Sequence, residues 1–187
     1  MNKFSTAISF AAAAFLAQAA NAGDGQINVT GTVTSSTCKI NGTAQNGGTV
    51  SNLTIPLGTV PAANFAEAGK TGSVVVGNTS QGFNVALTAC PTASTVSLVL
   101  DGSGAIDAAT NSFKNTVSGG ASNMNAQIVN AEGGVNTVLS PSNGSGIVKT
   151  TDATGNANFL LGARFLSTGA ATAGAFSTVA GFSVVYN

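Results

Sequence analysis

No histidine and no tryptophan occur among the 187 residues, and tyrosine occurs once. Charge is scarce as well: six Lys+Arg balance six Asp+Glu, and charged residues are 6% of the chain, against roughly 25% in an ordinary soluble domain. Each shortage removes a class of function. Without imidazole there is no histidine metal ligand and no Ser-His-Asp or Cys-His mechanism. Without a basic field, nucleic acid has nothing to grip its phosphates. Two cysteines cannot build a cysteine-only zinc site. The few acids carry no local pair motif for glycosidase chemistry. The sequence is therefore not read as an enzyme, and no cofactor is expected. Low charge combined with 43% apolar residues is also the opposite of a disordered composition.

Long apolar runs are missing except at the start. Residues 1–22 read MNKFSTAISFAAAAFLAQAANA. Lys3 supplies a short positive region, an apolar stretch follows, and Ala20-Asn21-Ala22 forms a small-residue cleavage site. That is the pattern of a secretory signal peptide. The stretch is shorter than the ~20 residues that a membrane span needs. Its removal takes away one cation and no acid, leaving a mature chain from Gly23 with a formal charge of −1. This is one domain's worth of chain, too short for a binding domain plus a separate anchoring domain. Export sets an oxidising environment, in which Cys38 and Cys90 pair by default; two buried free thiols are the other reading. The bridge would close a loop of about 50 residues, contributing roughly 4 kcal/mol in the chain-entropy model.

What remains is rich in glycine (24 residues) and in threonine, serine, asparagine and valine, a poor composition for helices. Apolar residues alternate instead, the period of a half-buried strand. The alternating sets are Ile27, Val29, Val33; Leu53, Ile55, Leu57; Phe83, Val85, Leu87, Ala89; Val96, Leu98, Leu100; Phe159, Leu161, Ala163, Phe165; and Phe182, Val184, Tyr186. Asn41-Gly42, Asn46-Gly47, Asp101-Gly102 and Asn143-Gly144 punctuate them as turns. Short strands, regular turns and a long-range cysteine pair predict an all-β antiparallel sandwich. One short helix is expected over residues 62–70, with Glu67 and Lys70 as an exposed pair. Residues 101–158 are the least patterned and are expected to be long loops with weak strands, one of them near 126–129. Arg164 is expected on a solvated sheet face. Asp101 and Asp107 have too few oxygen ligands around them for a calcium loop and read as a turn.

The two ends of the mature chain do not look like frayed termini. GDGQINVTGTVTSSTC alternates like a strand well before Cys38, and GFSVVYN carries large apolar residues to the penultimate position. Such an apolar edge needs something to pair with it. Here the chain resembles the type 1 fimbrial subunits of the chaperone–usher family, and most closely a major rod subunit. The resemblance rests on GTVTSSTC at 31–38, QGFNVALTAC at 81–90, NAQIVN at 125–130, ARFLSTGAA at 163–171, and the combination of penultimate Tyr186 with Gly174, fourteenth from the end.

The resemblance implies an incomplete immunoglobulin-like β-sandwich that lacks its last strand and is completed by a donor strand. It implies three segments: signal peptide 1–22, N-terminal donor extension 23–35, and pilin domain 36–187. The donor face would be Gly25, Ile27, Val29, Gly31 and Val33. Burying the three aliphatics contributes roughly 1.5–3 kcal/mol each, and either Gly25 or Gly31 would sit where two backbones approach closely. The acceptor and chaperone groove would involve Gly174, Phe182, Val184, Tyr186 and Asn187, the last through its carboxylate. The implied partners are other copies of the chain, a periplasmic chaperone, an outer-membrane usher and a tip adhesin, with the fimbrium at the cell surface as destination. The competing readings are a secreted carbohydrate-binding sandwich and a minor tip or adaptor subunit. The five N-x-[ST] sequons, beginning at Asn28, follow from composition, and the bacterial resemblance argues against their glycosylation.

Overall fold

The computed structural model describes residues 38–40, 43–44, 55–76, 84–102, 104–144 and 146–186. All of them belong to one compact unit, Ser35–Asn187. The expected signal peptide, the segment 25–33 and Asn187 lie outside the described residues.

The described chain is built from strands, all paired antiparallel. They are β1 (Lys39–Ile40), β2 (Thr43–Ala44), β3 (Val75–Val76), β4 (Asn84–Thr88), β5 (Thr95–Leu100), β6 (Ile106–Asp107), β7 (Ser112–Lys114), β8 (Met124–Asn130), β9 (Thr137–Val138), β10 (Gly146–Thr150), β11 (Ala157–Ser167) and β12 (Phe182–Tyr186). One sheet runs β2-β1-β4-β11-β8-β7-β6, with β3 added on β11 and β9 on β8. The second has three strands in the order β10-β5-β12. Alternation places Val85 and Leu87 of β4, Phe159 and Leu161 of β11, Val96 and Leu98 of β5 and Ile147 of β10 in one buried core. Each such side chain contributes roughly 1.5–3 kcal/mol of burial.

Cys38 and Cys90 are joined by a disulfide, with Cα atoms 4.4 Å apart. Alternation through β4 would turn Ala89 inward and Cys90 outward. Ala89 instead adopts φ 56° and is exposed, while Cys90 is buried. One residue in the left-handed region thus shifts the phase by one and aims the second cysteine at the first.

Four expectations are corrected. Residues 62–70 form no α-helix: a single 3-10 turn, Ala62–Phe65, starts after Pro61 with no side-chain cap, and the chain turns away through Gly69 at φ 82°. Phe65 is buried beneath it, so packing of one ring, not helix propensity, organises the segment. Glu67 and Lys70 do form an exposed pair, at 3.5 Å. Residues 55–60 belong to no strand, although Ile55 and Leu57 turn toward the core and Pro56 and Gly58 outward. The alternation there produced packing without pairing.

The third correction is the largest. Residues 101–158 hold β6 to β10, and β8 is a central strand paired along β11 from Met124↔Ser167 to Asn130↔Leu161. Its residues from Met124 to Val129 are buried on both faces, which erases the period-2 signal. The polar members of the strand are satisfied internally. Asn125 Nδ2 donates to Ser112 Oγ (2.8 Å) and Asp107 Oδ2 (3.1 Å), and Gln127 Nε2 donates to Thr110 O (2.9 Å). Arg164 is half-buried rather than solvated, its Nε donating to Gln127 Oε1 at 3.0 Å. Each of these polar groups would cost about 1–3 kcal/mol if buried without a partner.

Candidate acceptor groove

The C-terminal residues form one extended ribbon that begins before β12. From Phe176 to Val184 the chain alternates: Phe176, Thr178, Ala180, Phe182 and Val184 are half-buried, and the residues between them, apart from Gly181, are exposed. The ribbon is held along one edge. Ala121 N donates to Ala175 O (2.9 Å), Thr116 N to Ser177 O (2.8 Å) and Asp101 N to Gly181 O (3.0 Å), after which β12 pairs with β5 from Phe182↔Leu100 to Tyr186↔Val96. Among the described residues the other edge of β12 pairs with no strand.

At Phe182 this strand meets an open groove of about 990 Å³. Residues 55–60 line it on one side and 171–180 with Phe182 on the other. Its floor is made by the same faces of two neighbouring strands, Ala126 and Ile128 of β8 and Ala163 and Phe165 of β11. The register sets Ala126 opposite Phe165 and Ile128 opposite Ala163, so a small residue faces a large one in each pair and the floor is ridged. At one end the two sides are tied by Ala171 N donating to Phe65 O (2.9 Å). An aromatic cluster fills that end: Phe165 lies edge-on to Phe65 (6.3 Å between ring centroids) and to Phe176 (5.1 Å), and Met124 packs with them. Val60 and Val179 stand exposed on the two sides. Thr178 Oγ1 is buried with no hydrogen-bond partner among the described residues. The groove thus offers apolar surface, together with a strand edge and a hydroxyl that find no partner among the described residues, and these fit an extended polypeptide better than a small polar molecule.

The residues singled out in the sequence fall in different places. Gly174 lines the groove and meets the chain at 120–121 so closely that a Cβ there would lie 2.5 Å from Ala121 N and 2.7 Å from Gly120 C. Phe182 lines the groove and packs on the core, and Val184 packs on the core beside it. Tyr186 is 39% exposed. Burial pushes its phenol above the usual value, while a backbone hydrogen bond at Cys38 acts the other way. Gly25, Ile27, Val29, Gly31, Val33 and Asn187 lie outside the described residues. The side formed by 55–60 and the aromatic end were missed. Ile55 and Leu57 carried a signal in their alternation, but nothing local marks Phe65, Met124 and Phe176 as neighbours.

The fimbrial protein family model matches residues 27–187. The chain belongs to the fimbrial protein family. This fimbrial subunit is 33% identical over 186 residues to the type-1 fimbrial protein A chain of Escherichia coli K12, covering 97% of this chain and 93% of that one. It is 32% identical over 170 residues to the F17 fimbrial protein of Escherichia coli, covering 87% of each. Its fold is that of solved pilus subunits: the P pilus rod subunit PapA (TM-score 0.55, 20% identity, 80% of this chain and 99% of that one), and a chaperone–usher pilus subunit (TM-score 0.56, 22% identity, 89% and 97%). The all-β architecture is accordingly the incomplete immunoglobulin-like sandwich of pilins. The fimbrial subunit is a structural component of the cell-surface fimbrium.

Proposed function

We propose that the groove receives a strand lent by another copy of the chain, and that residues 25–33 are the strand each copy lends. The observation that carries this reading is the edge of β12, which no described strand pairs with, beside an apolar groove. A nine-residue strand extends about 30 Å, enough to run past the five residues of β12. Its main chain would pair with β12 by strand addition, and Ile27, Val29 and Val33 would rest on the ridged floor. Gly25 or Gly31 would fit where the side chains of the groove leave no room. Before assembly a periplasmic chaperone lends the strand and shields Phe182, Val184 and Tyr186, with the Asn187 carboxylate held by its cations; an outer-membrane usher then carries the exchange, and a tip adhesin ends the filament. Residues 1–22 direct export, 23–35 form the donor extension and 36–187 the pilin body.

Each copy is donor at one place and acceptor at another, so the contact is head-to-tail and builds an open filament. Dissociation would need a whole strand withdrawn and the groove re-exposed, which makes the linkage kinetically trapped. The test is to express residues 23–187 alone and with a second copy of 25–33 fused to the C-terminus. The fused chain is expected to be a soluble, cooperatively unfolding monomer and the unfused one to aggregate or be degraded. A stable cooperative monomer from the unfused chain overturns the reading. Changing Gly25 and Gly31 singly to a bulky residue should block assembly at one of them; normal polymerisation by both variants overturns the donor assignment.

A further inference from the structure

Strand addition needs an edge, and the described residues form several. In the larger sheet the outer strands β2 and β6 and the side strands β3 and β9 are each two residues long, and such short edges offer little main chain to pair with. The three-stranded sheet ends in two longer edges, β10 on one side and β12 on the other, each of five residues. No described strand pairs with the outer side of either. Main-chain pairing alone does not distinguish them, since any open edge presents donors and acceptors.

The two edges differ in their charge. β12 carries no charged residue, and Phe182 and Val184 are its contacts with the core. On β10, Ile147 is buried, and Lys149, two residues on, shares its face. The register partner of Lys149 is Val96, a core residue. The Lys149 ammonium stands 5.6 Å from the centroid of the buried Phe159 ring, pairs with Glu132 Oε1 at 2.5 Å and donates to Asn158 O. Glu132 opens the short 3-10 turn Glu132–Gly134, and its Oε1 also accepts from Leu160 N at 3.3 Å. The pair thus bridges β10 and the chain just beyond β8. Its side chains keep 29% and 32% of their surface exposed, so neither charge is fully taken out of water. A strand laid on β10 would set its own side chains beside Lys149 and cover the pair. Completing the desolvation of two charges is expensive even when they are paired, and an inward-pointing charge is one means by which edge strands are kept from pairing.

We propose that Lys149 is a specificity-determining residue for strand addition: paired with Glu132, it closes the β10 edge and leaves β12 to receive the lent strand. The inference rests on the strand-lending reading above. The apolar groove rewards addition at β12, and the charge on β10 penalises addition at the other end of the same sheet, so the discrimination has an attractive and a repulsive part. A single acceptor edge also keeps the filament unbranched, because a second would let one copy take two lent strands.

The test uses the mature chain fused to a second copy of 25–33, in which β12 is already occupied and β10 is the long edge that remains. The probe is a labelled synthetic peptide of residues 25–33. Two variants remove both charges together, Lys149→Val/Glu132→Gln and Lys149→Met/Glu132→Gln; the first favours a strand, and the second keeps an unbranched stem over Phe159. Lys149→Arg keeps the charge. The expected result is that both double variants unfold cooperatively and bind the peptide about tenfold or more tightly than the fused parent, with amide hydrogen exchange slowed at 146–150, while Lys149→Arg behaves like the parent. Dimers of a double variant with the same slowed amides support the proposal equally, since two opened edges can pair with each other. A gain below about tenfold without such dimers, slowed exchange elsewhere than 146–150, or the same gain from Lys149→Arg overturns it. Loss of cooperative folding in both double variants also overturns it, because the pair would then hold the sandwich together rather than guard its edge. A fused parent that is no cooperative monomer refutes the strand-lending reading, and the assignment of Lys149 falls with it.

Discussion

Adding one methyl group at Gly174 should loosen the groove side that carries β12, and the size of the effect can be worked out. The new Cβ would sit 2.5 Å from Ala121 N and 2.7 Å from Gly120 C. Ordinary contact needs about 3.5 Å, so the ribbon must retreat by roughly 1 Å. That retreat stretches the bond from Ala121 N to Ala175 O (2.9 Å) and the bond from Asn115 Nδ2 to Ala175 O (2.9 Å) beyond useful length. Two net hydrogen bonds amount to about 2 kcal/mol. Replacing glycine recovers about 0.4–1 kcal/mol through the unfolded chain. The net loss for Gly174→Ala is therefore about 1–2 kcal/mol, or a Tm lower by about 2–8 °C in a domain of this size. The control is Gly72→Ala, where the new methyl would rest at ordinary contact distance, 3.5 Å from Phe65 Cζ and 3.7 Å from the nearest backbone atom, Phe165 N; that variant should be neutral or slightly more stable. Both are measured by thermal unfolding of the chain fused to a second copy of 25–33. Equal Tm values for the two variants would refute the reasoning, because they would mean the approach of 174 to 120–121 carries no stability.

Removing the disulfide with Cys38→Ala/Cys90→Ala should cost roughly 4 kcal/mol in the same fused chain; an unchanged urea midpoint would contradict this. Tyr186 is the sole tyrosine, so ultraviolet titration of phenolate reports it alone. Its midpoint should lie above the free value, because burial disfavours the anion in spite of the hydrogen bond at Cys38. Since the folded value exceeds the unfolded one, the contribution is intact below about pH 10 and is lost as pH rises further; a midpoint at or below the free value would remove the argument. Asp152 shifts in the other direction. Asn156 N at 2.9 Å, then Thr154 Oγ1 at 2.7 Å and Thr154 N at 2.8 Å, donate to its exposed carboxylate and hold it below the usual carboxylate value. Its contribution is present above about pH 4 and fades as pH falls through the lower folded value. The urea midpoint of Asp152→Asn should therefore change less between pH 5 and pH 2 (roughly the carboxylate range) than that of the parent; parallel curves would refute the assignment.

Local alternation alone located β4, β5, β11 and β12. Each of these strands keeps an apolar face toward the core; the other face is polar or small on β4 (Asn84, Ala86, Thr88) and more mixed on β11, where Leu160 and Leu166 stand among Asn158, Gly162 and Arg164, yet the period of side-chain direction survives in the residue order. The cysteine pair and the oddity of the chain's two ends were legible for a similar reason: they are properties of composition and position along the chain. Three features needed the tertiary structure. β8 was legible only as a weak strand near 126–129, because a strand covered on both faces has no period to show, and its Asn125 and Gln127 look like loop residues until Ser112, Asp107, Thr110 and Arg164 are placed around them. Residues 55–60 alternate like a strand but border the groove unpaired, since alternation reports which way side chains point and not whether a neighbouring backbone lies at hydrogen-bonding distance. The groove itself exists in neither sheet alone. It arises where β8 and β11 of one sheet pass beneath the edge of β12 in the other, bringing Phe65, Met124, Phe165 and Phe176 together from distant parts of the chain, and no local pattern encodes a surface created by packing two layers.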